Sequence, residues 1–184
     1  MPAQLQDSIF RVAGPADAAA IAQLHADNWR ATYRGLFSDA FLDGPVFEER
    51  SELWRKRFET WDAGRNGVVL MEHGKTLLGF ACLMLDKDPE WGARLDNLHV
   101  HKEAQGTGAG RQLMQHAARW VLEREADWPL HLMVFEGNKR AVKFYDAMGG
   151  SAVERRDAVV EDGTELVELR YVWRDLWALA AQGG

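Results

Sequence analysis

The chain has 184 residues, 47% of them apolar and 27% charged, and its 22 Lys and Arg against 28 Asp and Glu give a net charge of −6. A chain of this length and composition can bury about 70% of the surface its unfolded form exposes, which excludes a fold that needs disulfide or metal staples. The basic residues are scattered, so an electrostatic footprint for nucleic acid is missing, and the net acidity points the same way. The one cysteine, Cys82, lies inside the apolar run Leu77 to Leu85 and reads as a reduced core thiol. The opening MPAQLQDSIF lacks a basic-then-apolar signal pattern, and no apolar stretch reaches the about 20 residues of a membrane helix. The expectation is a cytoplasmic protein without a membrane partner, with residues 1–184 forming one domain.

Ser8 to Val12 reads as a short strand, and Gly14-Pro15 opens a helix on which Ile21, Leu24, His25, Asn28 and Trp29 recur at helical spacing until about Gly35. Ser38 to Leu42 adds a turn of helix. After Gly44-Pro45, the residues Phe47, Trp54, Phe58 and Trp61 line one face of a further helix. Trp29, Trp54 and Trp61 read as core, with a pocket wall as the sharper alternative. From Gly67 the pattern turns to strands: Val68 to Met71, a turn at His73-Gly74-Lys75, then Thr76 to Leu85 as a largely buried partner. Asp88-Pro89 and Trp91-Gly92 mark a loop before a fourth strand, Ala93 to His101, which Lys102 to Gly108 join to a helix carrying Leu113, Met114, Ala117 and Val121. Leu130 to Phe135 and a helix with Ala141, Phe144, Tyr145 and Met148 repeat that strand-to-helix unit. Gly149-Gly150 stops it, and Ala152 to Val160 with Glu165 to Trp173 close the chain as a hairpin around Glu161-Asp162-Gly163. Helices interleave with strands while hairpins occur at both ends of the strand region, so the fold class is α+β with a mixed sheet.

The segment Leu95 to Arg111, LDNLHVHKEAQGTGAGR, has the chemistry of an anion site. Glycines between a strand and a helix allow positive φ and close approach, so that backbone N–H groups and the helix N-terminus converge on phosphate oxygens. A dinucleotide fingerprint fails here, because its third glycine falls on Arg111 or Leu113, and a Walker loop fails because Gly110-Arg111-Gln112 lacks its Lys-Ser/Thr. Arg111, and Lys139 with Arg140, lie in the first turns of their helices, where a cation costs about 0.3–1 kcal/mol. A bound anion reverses that sign; three solvated cations are the plainer reading.

With these residues in view, the chain resembles the GNAT superfamily of N-acetyltransferases. Gln105-Gly106-Thr107-Gly108-Ala109-Gly110 matches that family's Q/R-x-x-G-x-G/A, which holds the pyrophosphate of acetyl-CoA, and Leu98-His99-Val100 resembles the strand ending before it. Val134 to Asn138, Ala141 and Phe144-Tyr145-Asp146-Ala147-Met148-Gly149 match the second signature. The resemblance covers roughly Gly67 to Trp173, the acetyl-CoA part, and more loosely residues 1–66, which are expected to line the acceptor site.

The resemblance implies a mixed sheet splayed between its fourth and fifth strands, with the pantetheine arm in the gap. Backbone groups of Leu98, His99 and Val100 would pair with the arm, the amides of Gln105, Gly106, Thr107, Gly108, Ala109 and Gly110 with the pyrophosphate, and Asn138 with the arm from the other side. The Val100 amide would polarise the thioester carbonyl. Arg111 would face the pyrophosphate, and Arg140 and Lys139 the 3′-phosphate. Tyr145 is the expected acid for the leaving thiolate. Many relatives carry a Glu where this chain has Arg94, so Asp96, two residues on along the same strand face, is the candidate base, against a mere Arg94 partner or deprotonation by solvent. His99 and His101 lack further ligands at recognisable spacing, so no metal is expected. Trp29, Arg30 and Tyr33 are expected at the acceptor, with Arg34 and Phe37 nearby; Asp27, Asp39 and Asp96 suit a cationic amine, and Arg30 or Arg34 a carboxylate-bearing one. The expected activity is acetyl transfer from acetyl-CoA to a primary amine of a small molecule, amino acid or peptide by direct attack in a ternary complex. The resemblance admits a homodimer, and the alternative from another class is a non-catalytic acyl-CoA sensor, motivated by Arg94.

Overall fold

The computed structural model describes residues 7–88, 90–160 and 163–182. Pro89, the turn residues Glu161 and Asp162, and residues 1–6 of the opening read for a signal lie outside the described residues. Strands β1 (Ile9–Val12), β2 (Asn66–His73), β3 (Thr76–Asp88), β4 (Gly92–Val100), β5 (Leu130–Phe135), β6 (Ser151–Val159) and β7 (Glu165–Trp173) form one sheet in the order β1-β2-β3-β4-β5-β7-β6. Only β4 and β5 pair in parallel; the other neighbours are antiparallel. The helices are α1 (Ala18–Thr32), α2 (Asp39–Asp43), α3 (Val46–Thr60), α4 (Ala109–Leu122), α5 (Lys139–Ala147) and α6 (Leu176–Ala181). The mixed sheet and the hairpins at both ends agree with the expected class. The carboxy-terminal helix α6 was not foreseen, its LWALAA being too short to show a period.

Alternation along β2 and β3 explains the two-sided burial. Val68, Leu70, Phe80, Cys82 and Met84 pack with Ile21, Leu24 and Trp54 of α1 and α3, whereas Val69, Met71, Ala81 and Leu83 pack with Leu113, Met114, Ala117 and Val121 of α4. Cys82 is fully buried there, and burial pushes its thiol well above the usual range, as a core thiol requires. Trp54 is likewise fully buried. A third cluster, with Ala26, Trp29, Phe37, Phe41, Leu42 and Val46, ties α1 to α2 and α3.

The sheet opens at β4 and β5. Their ladder consists of Ala93 opposite Leu130 and Arg94 opposite His131, after which β5 continues only with β7, from Leu130/Trp173 to Phe135/Glu168. That is the splay the resemblance implies.

Close packing behind the open edge depends on Gly79. A Cβ there would sit 2.7 Å from the His99 carbonyl oxygen and 2.7 Å from Leu113 Cδ1, so β3 could not keep its distance from β4 and α4 together. Gly79→Ala is expected to lower stability by about 1–3 kcal/mol, read as a lowered urea midpoint at unchanged slope.

Candidate active site

The geometry of the site begins with one extra residue. In the β3–β4 ladder Cys82 faces Asn97 and Leu83 faces Leu95, so Asp96 has no partner and forms a β-bulge. The bulge keeps Ala93, Leu95, Leu98 and Val100 on the α4 side while Arg94, Asp96, Asn97 and His99 all face α1 and α3. Arg94 and Asp96 share that face as expected, 3.7 Å apart.

The His101 amide donates to the Leu78 carbonyl at 2.7 Å, which makes Phe80 and His99 the next hydrogen-bonded pair of the antiparallel ladder. The backbone groups of Leu98 and Val100 are therefore turned away from β3, into the gap beside β5. The Val100 carbonyl is covered from two sides, by Asn28 Nδ2 at 3.1 Å and Gln105 Nε2 at 3.0 Å. A cleft of ≈ 650 Å³ fills the gap, with Leu98, His99, Val100, Asn138 and Tyr145 on its walls.

At one end of the cleft the chain turns at Lys102–Ala104 and enters α4 through Gly106 (φ 78°) and Gly108 (φ 99°), conformations in which a side chain would be strained. Gly108 caps α4, and among the described residues no backbone acceptor takes the amides of Gly108, Ala109, Gly110 and Arg111. Gln105, Gly106, Gly108, Gly110 and Arg111 line the cleft. Thr107 and Ala109 do not: the Thr107 hydroxyl donates to the Ala104 carbonyl at 2.6 Å, and Ala109 is buried in the core. The two expected 3′-phosphate cations part company. Arg140 lines the cleft and donates to Gln105 Oε1 at 2.6 Å, at the loop itself, whereas Lys139 is not among the lining residues.

On the opposite wall Asn138 caps α5, its Oδ1 accepting the Ala141 amide at 3.2 Å, which leaves its amide nitrogen for the cleft. Tyr145 is buried against Tyr171 and Trp173, and among the described residues its hydroxyl has no protein partner. Burial, with Tyr33 adding to it, holds its phenol well above the usual value, so the group stays protonated.

The end of the cleft expected to take the acceptor is walled by α1. Asn28, Trp29, Thr32 and Tyr33, at helical spacing, line it, and Phe135 closes on Tyr33 with ring centroids 5.5 Å apart. Arg30 is the exception among the expected acceptor residues. It turns away, donating to the Leu42 carbonyl at 3.0 Å and lying 3.5 Å from Asp27. Arg34 is likewise engaged by Asp39 and Asp43. The expected base is also committed elsewhere: Asp96 Oδ2 is 2.5 Å from Arg57 Nη2, and Oδ1 faces Arg94.

Arg57, absent from the sequence reading, arrives from α3. Its guanidinium lies over Trp54 (4.9 Å) and Trp61 (5.1 Å) and donates to Asn97 at 3.0 Å. The three-and-four spacing of residues 54, 57 and 61, one helix face, was the available signal. A second unforeseen feature is a pair of imidazoles. His25, buried on α1, accepts from Trp54 Nε1 at 3.1 Å, and its ring centre lies 4.5 Å from that of His99. Among the described residues no cluster of three or more His, Cys, Asp or Glu is placed to hold a metal ion.

The model of the acetyltransferase (GNAT) family matches residues 21–149. The chain belongs to that family. It is therefore an acyltransferase by class. It is 27% identical over 162 residues to YuaI of Bacillus subtilis (strain 168), described as an uncharacterized N-acetyltransferase, covering 86% of this chain and 88% of that one. Its fold is shared with PaiA N-acetyltransferase from Thermoplasma acidophilum in complex with coenzyme A, at a TM-score of 0.68 and 17% identity, covering 88% and 97% of the two chains. A GCN5-related N-acetyltransferase from Rhodopseudomonas palustris gives 0.71 and 18%, covering 92% and 97%. YncA from Salmonella typhimurium, solved with its cofactor acetyl-CoA, gives 0.66 and 16%, covering 97% of each chain. No helix among the described residues is long and apolar enough to cross a membrane.

The imidazole pair gives this acetyltransferase a pH signature. Burial, then His99, Arg50 and Arg57, hold His25 well below 6.5, and burial with Arg50 brings His99 down to about 3. Below pH 6.5 the unfolded chain takes up protons that the folded chain refuses, so stability is intact above that pH and is lost as pH falls. The loss approaches about 1.4 kcal/mol per pH unit for the fully buried His25. His25→Phe is expected to flatten the fall in melting temperature between about pH 6.5 and 4.5, above the range where paired carboxylates such as Asp17 and Glu52 titrate.

Proposed function

We propose that this acetyltransferase moves an acetyl group from acetyl-CoA directly to a primary amine of a small molecule, amino acid or peptide, both substrates being bound at once. The observation that carries the reading is one continuous cleft, running from the open α4 amides past the unpaired backbone edge of β4 to the aromatic wall of α1. Its two ends differ in chemistry as two substrates require. Free amides with Arg111 and Arg140 suit a pyrophosphate; Asn28, Trp29, Thr32 and Tyr33 suit an amine with an apolar body. The complexes with coenzyme A and acetyl-CoA in PaiA and YncA support the same use of the fold.

In this reading Leu98 and Val100 pair with the pantetheine amides as a neighbouring strand would, and Asn138 closes on the arm from α5. The Val100 N–H, aimed into the gap, donates to the thioester oxygen as it gains charge, and its cost is already met by the fixed strand. Tyr145 supplies the proton to the departing sulfur, because burial keeps its phenol protonated at working pH. Residues 1–66 select the acceptor.

Acetyl-CoA at 100 times its dissociation constant is expected to stabilise the protein by about 2.7 kcal/mol, seen as a raised melting temperature that NAD and ATP do not match. Thiol release over a panel of amines tests transfer itself. Turnover with any member excludes the sensor alternative, and tight binding without turnover across the panel removes the transferase reading. Tyr145→Phe is expected to lower turnover about 10²–10⁴-fold with the melting temperature nearly unchanged. Since Arg140 sits on Gln105, Arg140→Ala is expected to weaken CoA and dephospho-CoA alike by calorimetry. Selective loss of CoA affinity would return Arg140 to the 3′-phosphate.

A further inference from the structure

We propose that His99 is the group that takes the proton from the attacking amine; the inference rests on the acetyl-transfer reading of the cleft. Three side chains lining the cleft could accept a proton: Asp96, Glu168 and His99. Two of them are ion-paired. Asp96 is held by Arg57 at 2.5 Å, and Glu168 receives two bonds from Arg156 on its Oε2, at 2.9 and 3.1 Å. His99 differs, because among the described residues neither of its ring nitrogens has a hydrogen-bond partner.

Its place suits the task. The ring sits on the α1 face of β4, between His25 (4.5 Å) and Phe80 (5.2 Å), one residue before the Val100 N–H that faces the gap. A base there flanks the position in which an oxyanion would be stabilised. His25 cannot substitute for it: Trp54 Nε1 occupies His25 Nδ1, which puts the proton on Nε2 and leaves no open lone pair. His101 lies beyond the strand, its Nδ1 facing the Glu103 amide at 3.4 Å.

The reaction then balances. The neutral amine's nitrogen bonds to the carbonyl carbon, the carbon–sulfur bond breaks, His99 takes the proton the nitrogen sheds, and Tyr145 gives one to the sulfur. Cleft water returns the imidazolium proton to the phenolate. The charged and titratable groups on the elements packed here are Arg50 and Arg57 on α3, His25 on α1, and Arg94 and Asp96 on β4, of which Arg50 and Asp96 act on the ring itself. Burial and Arg50 keep the resting ring neutral, which leaves its lone pair open and makes the imidazolium costly, so the proton passes through the ring and does not rest there. Asp96 opposes them and favours the imidazolium that forms in passing, which gives the expected base a different part in the same step.

The test uses thiol release with acetyl-CoA and the amine panel on wild type, His99→Ala, His99→Gln and Asp96→Asn, alongside calorimetry with acetyl-CoA. His99→Ala is expected to lose about 10²–10⁴ in kcat, keep its acetyl-CoA affinity, and regain rate in proportion to added imidazole. His99→Gln, which fills the site with an amide that cannot take a proton, is expected to lose as much. Wild type should show no limb near pH 6.5 attributable to an enzyme imidazole. Wild-type kcat in His99→Gln, no response of His99→Ala to imidazole, or a larger loss in Asp96→Asn than in His99→Ala overturns the assignment while leaving acetyl transfer in place. A wild type that binds acetyl-CoA and turns over no amine fails at the earlier step, and takes both readings with it.

Discussion

Beyond Arg94, β4 has a partner strand on one side only, and the backbone polar groups on its open edge have to be satisfied by something other than a strand. Most of the site follows from how that is done. The Val100 carbonyl takes two amide donors, one from α1 and one from the loop entering α4, so a single oxygen ties the α1 wall to the glycine-rich loop. Among the described residues the N–H groups of the same edge have no such cover. They are the part of the sheet's hydrogen-bonding capacity left for a ligand, and an extended amide-bearing arm fits that capacity as a strand would. β5 loses nothing by the separation, because β7 pairs with it along its whole length.

The bulge at Asp96 decides what faces whom. Without the extra residue, strand alternation would set Asn97 and His99 against α4 and bring Leu98 and Val100 under α1, emptying the α1 side of the cleft of those polar groups. With it, four polar residues share one face, and the helices above answer them. Arg57 binds the two bulge residues from over two indoles, so that a cation in a poorly solvated place has two aromatic rings and two oxygen partners. Ion pairing of Asp96 and Glu168 in turn leaves the cleft polar without a free carboxylate. A neutral imidazole with no hydrogen-bond partner among the described residues then remains on its wall, a consequence of neighbours rather than of any unusual residue.

The glycine-rich loop and helix start were legible in the sequence because they are local. Gln105, Gly106, Gly108 and Arg111 lie within one turn and one helix start, and the backbone conformations they need are set by their own side chains or lack of them. The splay followed from the family resemblance, and the early and late hairpins from alternation and turn residues. The acceptor end was read less well, for a different reason at each residue. Arg30 and Tyr33 are three apart at the end of α1 and its cap, a spacing that groups them, yet the Leu42 carbonyl, brought over by α2, draws Arg30 off. Thr32 carries neither a charge nor a ring to mark it in the sequence. Asp96 was placed on the right strand face, but its fate depended on Arg57, thirty-nine residues earlier and on another helix.

The bulge itself was written in plain sight. In Ala93-Arg94-Leu95-Asp96-Asn97-Leu98-His99-Val100 the apolar residues alternate, skip two, and alternate again. A regular strand would have to bury Asn97 or expose Leu98, and either costs more than one unpaired residue at an edge already open on the β5 side. That break of phase separates what the sequence could show from what only the fold could. It assigns His99 to the polar face from eight contiguous letters, while its freedom from other partners rests on pairings between helices and strands far apart in the chain.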